Sequence, residues 1–509
     1  MLAKTFSFGL IGLKGYNVVV EVDIGGGLPS FDLVGLADTS IKESKERVKS
    51  AIKNSGYEYP ISKITINLAP ADIKKEGPIY DLAIAMGILA ASSSANFEKV
   101  QEYVILGELS LDGTVRKIAG VLPILISARE NGFKKFIIPH ENCLEASFIS
   151  GIEVYPVFSL EQAINFVNGE QTIEPIVTSN FESTKDKTEY NDFASVKGQY
   201  SAKRALEIAA AGGHNVLMIG PPGSGKTMLA KCFPSILPDM TFEEALEVTK
   251  IHSVAGILDS KQGIVFNRPF RSPHHTSTII SLTGGGRTSK PGEISVAHNG
   301  VLFLDEMPEY DRHTIEALRQ PLEDGVITIA RNDQTITYPA NFTLIASMNP
   351  CPCGYYGSKI NQCKCTPSQI NRYRSKLSGP LMDRIDLYLE VDNVTYSDLT
   401  SKRTEESSEN IKKRVNFARK IQLERFEGTK TFSNSKMSPA LCKKYCLLDC
   451  ESEKLLEEAF NNLKLSARAH NRILKVARTI ADLDGSENIE LQHLAEAIQY
   501  RSLDRKFFN

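Results

Sequence analysis

The run Gly220-Pro221-Pro222-Gly223-Ser224-Gly225-Lys226-Thr227 carries chemistry that few other octapeptides can. Its glycines let the backbone curl so that successive N–H groups point inward, where they can hold the oxygens of a phosphate chain. Lys226 is a cation long enough to reach β- and γ-phosphates, and Thr227 offers a hydroxyl suited to Mg2+. Further along, the apolar run Val301-Leu302-Phe303-Leu304 ends in Asp305-Glu306. Asp305 is placed to join the Mg2+ shell, and Glu306 to polarise an attacking water. A Gly-rich turn and a solvated acidic turn are the plain alternatives. The two motifs together point instead to binding and hydrolysis of ATP with Mg2+.

Such residues need a strand to deliver them and a helix to receive the phosphates. Val216-Leu217-Met218-Ile219 reads as a buried strand entering the loop, and a helix is expected from Lys226. Val301–Leu304 and Phe342–Ala346 read as further strands of the same region. Strands and helices alternate from Phe193 to about Asn393, which implies a mostly parallel sheet with covered faces. From about Ser397 the pattern is helical. Before about residue 175 the chain mixes strands (Val18–Val22, Ile64–Leu68, Tyr103–Leu106, Lys135–Ile138) with helices (Ser40–Asn54, Asp81–Ala91). The polar stretch between reads as a linker or as a long surface loop. The expected division is residues 1–175, a linker at 176–191, an ATPase core at 192–395 and a helical region at 396–509.

Cys351, Cys353, Cys363 and Cys365 place four thiols in one loop just after the third strand. Four thiolates suit tetrahedral Zn2+, the alternative being free thiols in an ordered loop. No apolar run reaches membrane-span length and no signal peptide opens the chain, so a cytoplasmic, reducing setting is expected and disulfides are not. Cys442, Cys446 and Cys450 recur every four residues without a fourth ligand and read as structural. With 59 basic and 61 acidic residues the net charge of −2 neither demands nor forbids a nucleic acid. Arg372, Arg374 and Lys376 form a basic cluster that could touch DNA or be a solvated face.

The order of these motifs, with the third strand ending in Asn349, resembles an AAA+ ATPase. The resemblance makes Asn349 the sensor-1 residue that feels the γ-phosphate. Ser378-Gly379-Pro380-Leu381-Met382-Asp383-Arg384-Ile385-Asp386 is similar to the arginine-finger segment of that group, so Arg384 is expected to reach the γ-phosphate of a neighbouring subunit; a surface salt bridge is the other reading. Ser466-Ala467-Arg468 resembles a sensor-2 segment, with Arg468 preferred over Arg472. A finger supplied in trans implies head-to-tail packing that can close into a ring, and AAA+ relatives imply a homo-hexamer.

Phe270-Arg271-Ser272-Pro273-His274-His275-Thr276, Gly284-Gly285-Gly286 and the stretch Pro291–Gly300 resemble the magnesium-chelatase-like branch. The stretch Leu318–Gly325 and Asn349-Pro350-Cys351-Pro352-Cys353-Gly354 narrow the resemblance to the YifB/ComM family, across essentially the whole chain. It implies DNA branch migration in natural transformation, or, on the chelatase side, remodelling of a protein. It also implies an insertion hairpin over Arg268–Arg287, joined by a second ribbon over Gly325–Pro339. In hexameric DNA motors of similar build such hairpins line the pore. Arg271, His274, His275, Arg287 and Arg331 could then meet phosphates, or serve only their own loops.

In the first region, Glu76-Gly77-Pro78-Ile79 and the stretch Gly107–Val115 resemble a Lon-protease α+β domain. That resemblance calls for a serine after Gly77-Pro78 and a lysine near Val121-Leu122. The chain has Ile79 and no lysine at 121–122, Lys117 lying off the motif. An isoleucine has no labile proton to give up, so no peptidase activity is expected.

Overall fold

The computed structural model describes residues 1–181, 190–259, 261–286, 289–331, 334–358, 361–394, 396, 400, 405–429, 431–463 and 465–508. The molecule is mixed α/β, with a parallel sheet at its centre and a helical C-terminal region.

The N-terminal region is built on seven strands in the order Ser30–Val34, Lys63–Ala69, Lys14–Gly25, Leu2–Ile11, Val104–Ile105, Lys135–Pro139 and Glu153–Val157. Val18, Val20 and Val22 alternate inward, as a half-buried strand requires. The helix Thr39–Asn54 buries Ile41, Ser44, Val48, Ala51 and Ile52 along one face, and the Asp38 carboxylate accepts the Ile41 N–H at its start. The helix Asp81–Ala91 is buried on every side, which is why its sequence shows no polar stripe. The strands and helices expected from the sequence here all form.

The central sheet runs Phe270–Arg271, Val301–Leu304, Thr343–Met348, Val216–Ile219, Leu387–Glu390, and every neighbouring pair is parallel. Val216, Leu217, Met218 and Ile219 are all buried, because helices cover both faces. One expectation is corrected here. Phe270–Arg271 is no arm of an insertion hairpin but the edge strand of this sheet, parallel to Val301–Leu302. The small ribbon of that insertion pairs Gly284–Gly285 with Lys290–Pro291, after a short helix at Ile279–Thr283. The second ribbon, Val326–Arg331 against Gln334–Pro339, forms as expected, with Ile329 opposite Ile336.

The C-terminal helices are Ser408–Arg425, Pro439–Tyr445, Cys450–Leu463, Ala467–Leu483 and Leu491–Phe508. Ile473, Ala477 and Ile480 of the fourth join Leu206, Val216 and Ile345 in one apolar core. At the centre of this region Asp482, wholly buried, accepts from Arg425 at 2.8 Å, Arg478 at 3.0 Å and Asn434 at 2.7 Å.

The stretch expected to link the regions is anchored where it begins. Ile176 N–H donates to Val154 O and Ser179 N–H to Ser147 O, both at 2.9 Å. Phe181 lies against Phe242 and Phe266 of the region that carries the central sheet; residues 182–189 lie outside the described ones. Beside it, Gly120 N–H donates to both Ser253 O and Ser253 Oγ at 3.1 Å, fastening the N-terminal region to the end of the helix Phe242–Ala255.

Candidate functional site

Parallel register brings the functional residues to one edge. Ile219 pairs with Met348 and Leu304 with Ala346, so Gly220, Asn349 and Asp305 all leave the sheet at its carboxyl end. Crevices at that end, where strand order switches sides, are where open α/β sheets bind ligands. Gly225 has φ +91°, a left-handed turn that starts the helix Lys226–Cys232 and that a residue with a side chain would resist.

Lys226 is nearly buried. Its Nζ donates to Gly220 O at 2.7 Å, Pro221 O at 2.8 Å and Asn349 Oδ1 at 3.4 Å. Burial pushes its pKa down to about 8, against the pull of Asp305 and Glu306. A buried ammonium held by neutral oxygens, the Ser224 hydroxyl at 3.5 Å among them, fits a site meant for an anion. Thr227 Oγ1 donates to Asp305 Oδ2 at 2.8 Å, which brings hydroxyl and carboxylate together as a shared Mg2+ shell needs. Glu306 has φ +51°, unusual for a side-chain-bearing residue, and its N–H donates to Asp305 Oδ1 and Ser347 Oγ at 3.2 Å. Ser347 also donates to Asp305.

Two contributors are invisible as motifs. Ser347 holds the acidic pair, and its only sequence signal is its position two before Asn349, on the same face of the strand. Gln199 Nε2 donates to Ser224 O at 3.2 Å and Asp392 O at 2.6 Å, tying the phosphate loop to the next strand's end. Nothing local foretells it.

Arg384 stands elsewhere. Leu387 pairs with Val216 and Glu390 with Ile219, so Arg384 sits beyond the amino end of the strand whose carboxyl end carries the loop. A four-residue strand separates the two by roughly 10 Å before any loop is counted. Arg384 is paired with Glu323, and Arg468 lies 3.9 Å from the same carboxylate. Burial, then Arg468, Arg319 and Arg472, lower the Arg384 pKa. Arg319, Glu323 and Arg384 line a cleft of about 550 Å3. Arg472 is taken up by Asp386 and by Arg384 O, whereas Arg468 is exposed.

The cysteines expected to bind metal are brought together. Their Sγ atoms all lie within 4.8 Å, with Cys351–Cys353 at 3.4 Å, Cys353–Cys363 at 3.6 Å and Cys351–Cys363 at 3.7 Å. Zn–S bonds of about 2.3 Å in a tetrahedron give edges of about 3.8 Å, so the donor set fits zinc, while a disulfide needs about 2.05 Å. N–H groups of Lys364 and Tyr355 hold the Cys353 thiol down to about 6. Cys442 and Cys446 are buried and Cys450 is exposed.

Several DNA candidates fare differently. Arg271 gives its guanidinium to Glu293 at 2.6 and 2.8 Å, so part of its charge serves its own fold. The His274 and His275 rings lie 4.1 Å apart, tilted by 33°, with His274 exposed. Arg331 ends its strand opposite Gln334, and Arg287 lies outside the described residues. Arg374 donates to Pro350 O and covers the Tyr356 ring at 4.9 Å, and Lys376 pairs with Glu309 at 3.4 Å. The cluster with Arg372 is thus partly spent on its own fold.

Family models carry the remaining information. Magnesium chelatase, subunit ChlI, matches residues 192–399; subunit ChlI of Mg-chelatase matches 20–142; and the ChlI C-terminal model matches 405–501. Protein YifB of Escherichia coli is 45% identical over 97% of this chain and 96% of its own length. Competence protein ComM of Haemophilus influenzae is 43% identical over 99% and 98%. The chain belongs to the YifB/ComM family. Magnesium-chelatase subunit ChlI of Guillardia theta is similar at 24% over 46% of the chain. A YifB/ComM chain with this phosphate loop is of AAA+ ATPase type, and ATP and Mg2+ go with that type. Gly220–Thr227 would hold the phosphates, with Thr227 and Asp305 at the metal, which neutralises phosphate charge when bound. Among the described residues no helix is long and apolar enough to cross a membrane.

Proposed function

We propose that the protein is a DNA-acting ring motor, a homo-hexamer in which Arg384 of one copy completes the nucleotide site of the next. The place of Arg384 carries this reading. It cannot serve its own phosphate loop from the far end of the sheet. It lines a cleft with Arg319, Glu316 and Glu323, where its partner is Glu323 and a neighbouring copy's phosphate would take that carboxylate's place. Within each copy, Lys226 neutralises the phosphates, Glu306 takes the proton of the attacking water, and Asn349, beside Lys226, senses the γ-phosphate. Arg468, 3.9 Å from the Glu323 carboxylate that pairs with Arg384, is the proposed sensor-2 residue.

Helicase or branch-migration activity in recombination and natural transformation is the proposed use of the motor. The competence protein among the relatives supports it. Arg271, His274, His275, Arg287 and Arg331 are its proposed DNA contacts. We assign residues 1–175 to a Lon-protease-like domain without peptidase activity, 176–191 to a linker, 192–395 to the ATPase core and 396–509 to a helical lid. Ile79 packs against the apolar cluster that holds Leu122, leaving neither nucleophile nor base where that resemblance places them. Cys351, Cys353, Cys363 and Cys365 hold a structural Zn2+, which metal analysis should find at about one per chain.

The magnesium-chelatase matches favour one other reading, a ring that remodels a protein. ATP turnover measured with and without forked DNA at low salt separates the two. Stimulation by DNA supports the motor proposed here. Neither binding nor stimulation would sink it.

A further inference from the structure

The zinc centre does more than tie a loop. The loop starts at Pro350, directly after Asn349, and ends at Thr366, which caps the helix Pro367–Arg374. Thr366 and Gln369 form a reciprocal cap at 2.9 and 3.3 Å immediately after the last cysteine. That helix then returns to the loop's origin. The Tyr373 hydroxyl meets the Asn349 backbone, and Arg374 Nε and Nη2 donate to Pro350 O at 3.3 Å. The four thiols therefore close a circuit that fixes Asn349, whose Oδ1 lies 3.4 Å from Lys226 Nζ.

The same loop presses on the phosphate loop from outside. Gly354 has φ +83°, and a Cβ there would stand 2.5 Å from Pro222 Cδ and 2.7 Å from Pro222 Cγ. Only a glycine permits this approach. Asn349 on one side and Pro222 on the other are thus both referred to a single cluster of sulfurs. Backbone N–H groups also face those sulfurs: Tyr356 N–H to Cys351 Sγ at 3.3 Å and Cys365 N–H to Cys363 Sγ at 3.4 Å, as thiolate ligands need.

We propose that the Cys351–Cys353–Cys363–Cys365 zinc centre braces the nucleotide site, so that zinc occupancy sets nucleotide affinity. The inference rests on the zinc reading above and goes beyond it. With metal bound, the sulfurs hold the loop against Pro222 and keep Asn349 in reach of Lys226. With metal gone, four thiols that carry protons or repel one another no longer hold the loop closed, and the phosphate loop loses its outer wall.

The test uses the full chain under reducing conditions. Zinc content is measured before and after treatment with a strong zinc chelator, and affinity is read by titration with a fluorescent ADP analogue, which requires no turnover. Removal of zinc is expected to weaken binding tenfold or more, and added Zn2+ to restore it. Gly354→Ala keeps all four thiols and is expected to retain zinc while losing affinity severalfold. Zinc present, with affinity unchanged within twofold both on its removal and in Gly354→Ala, would overturn the brace while leaving the zinc site intact. Protein that never holds zinc would overturn both. If chelation unfolds the chain, judged by circular dichroism, Gly354→Ala alone decides.

Discussion

Lys226 is an ammonium buried before its phosphate partner arrives, and that has a measurable sign. Its pKa in the nucleotide-free protein lies near 8, below the 10.5 of an unfolded chain. Only the charged form attracts phosphate, so ATP-analogue affinity should fall as pH rises above about 8, by up to about tenfold per unit. Stability runs the other way. Between pH 8 and 10.5 the unfolded chain keeps a proton that the folded chain has lost, so the empty protein gains up to about 1.4 kcal/mol per unit there. Affinity titrations and denaturant melts from pH 7 to 10 check both. Glu306→Gln preserves shape but cannot take a proton. It should leave nucleotide binding within a few-fold and cut turnover by about 10²–10⁴, as single-turnover hydrolysis will show. The phosphate-loop octapeptide and the Asp305-Glu306 pair were legible because their chemistry lies in contiguous residues. Ser347 and Gln199 were not, because what they do depends on strands and loops far away in sequence. The pairing of Arg271 with Glu293 was hidden for the same reason: the two are neighbours only once the sheet edge has formed.

Among the elements, long ones with a clear period were readable, and the helix Thr39–Asn54 shows it. The two-residue edge strand Phe270–Arg271 was not, since a strand that short exists only by pairing with Val301–Leu302. The helices after residue 405 take their stability from a feature that periodicity also hides. Asp482 in the helix Ala467–Leu483 neutralises Arg425 and Arg478, both largely buried. Asp482→Ala would strand two cations in an apolar core, at a cost of about 3–5 kcal/mol. Urea unfolding should register that loss, with the midpoint shifted and the slope unchanged.

At the scale of the whole molecule, the distance between Arg384 and its own phosphate loop makes complementation the natural experiment. Arg384→Ala should lower turnover by roughly 10³–10⁵, and so should Lys226→Ala by its own route. In an equimolar mixture of the two, a junction between an intact loop and an intact Arg384 reappears, and part of the activity should return. A mixture as dead as either parent would mean that the sites are not shared.

The fastening of the N-terminal region to the helix Phe242–Ala255 bears on how this chain can be taken apart. Phe148 shares an apolar cluster with Met240, Ala245, Val248 and Ile264, and Phe181 covers Phe242 and Phe266. Cutting the chain at 191 would uncover that oily face on the ATPase half. The severed half should self-associate and scatter light where the intact chain does not. The N-terminal region is, in this respect, a built-in chaperone for the surface it covers.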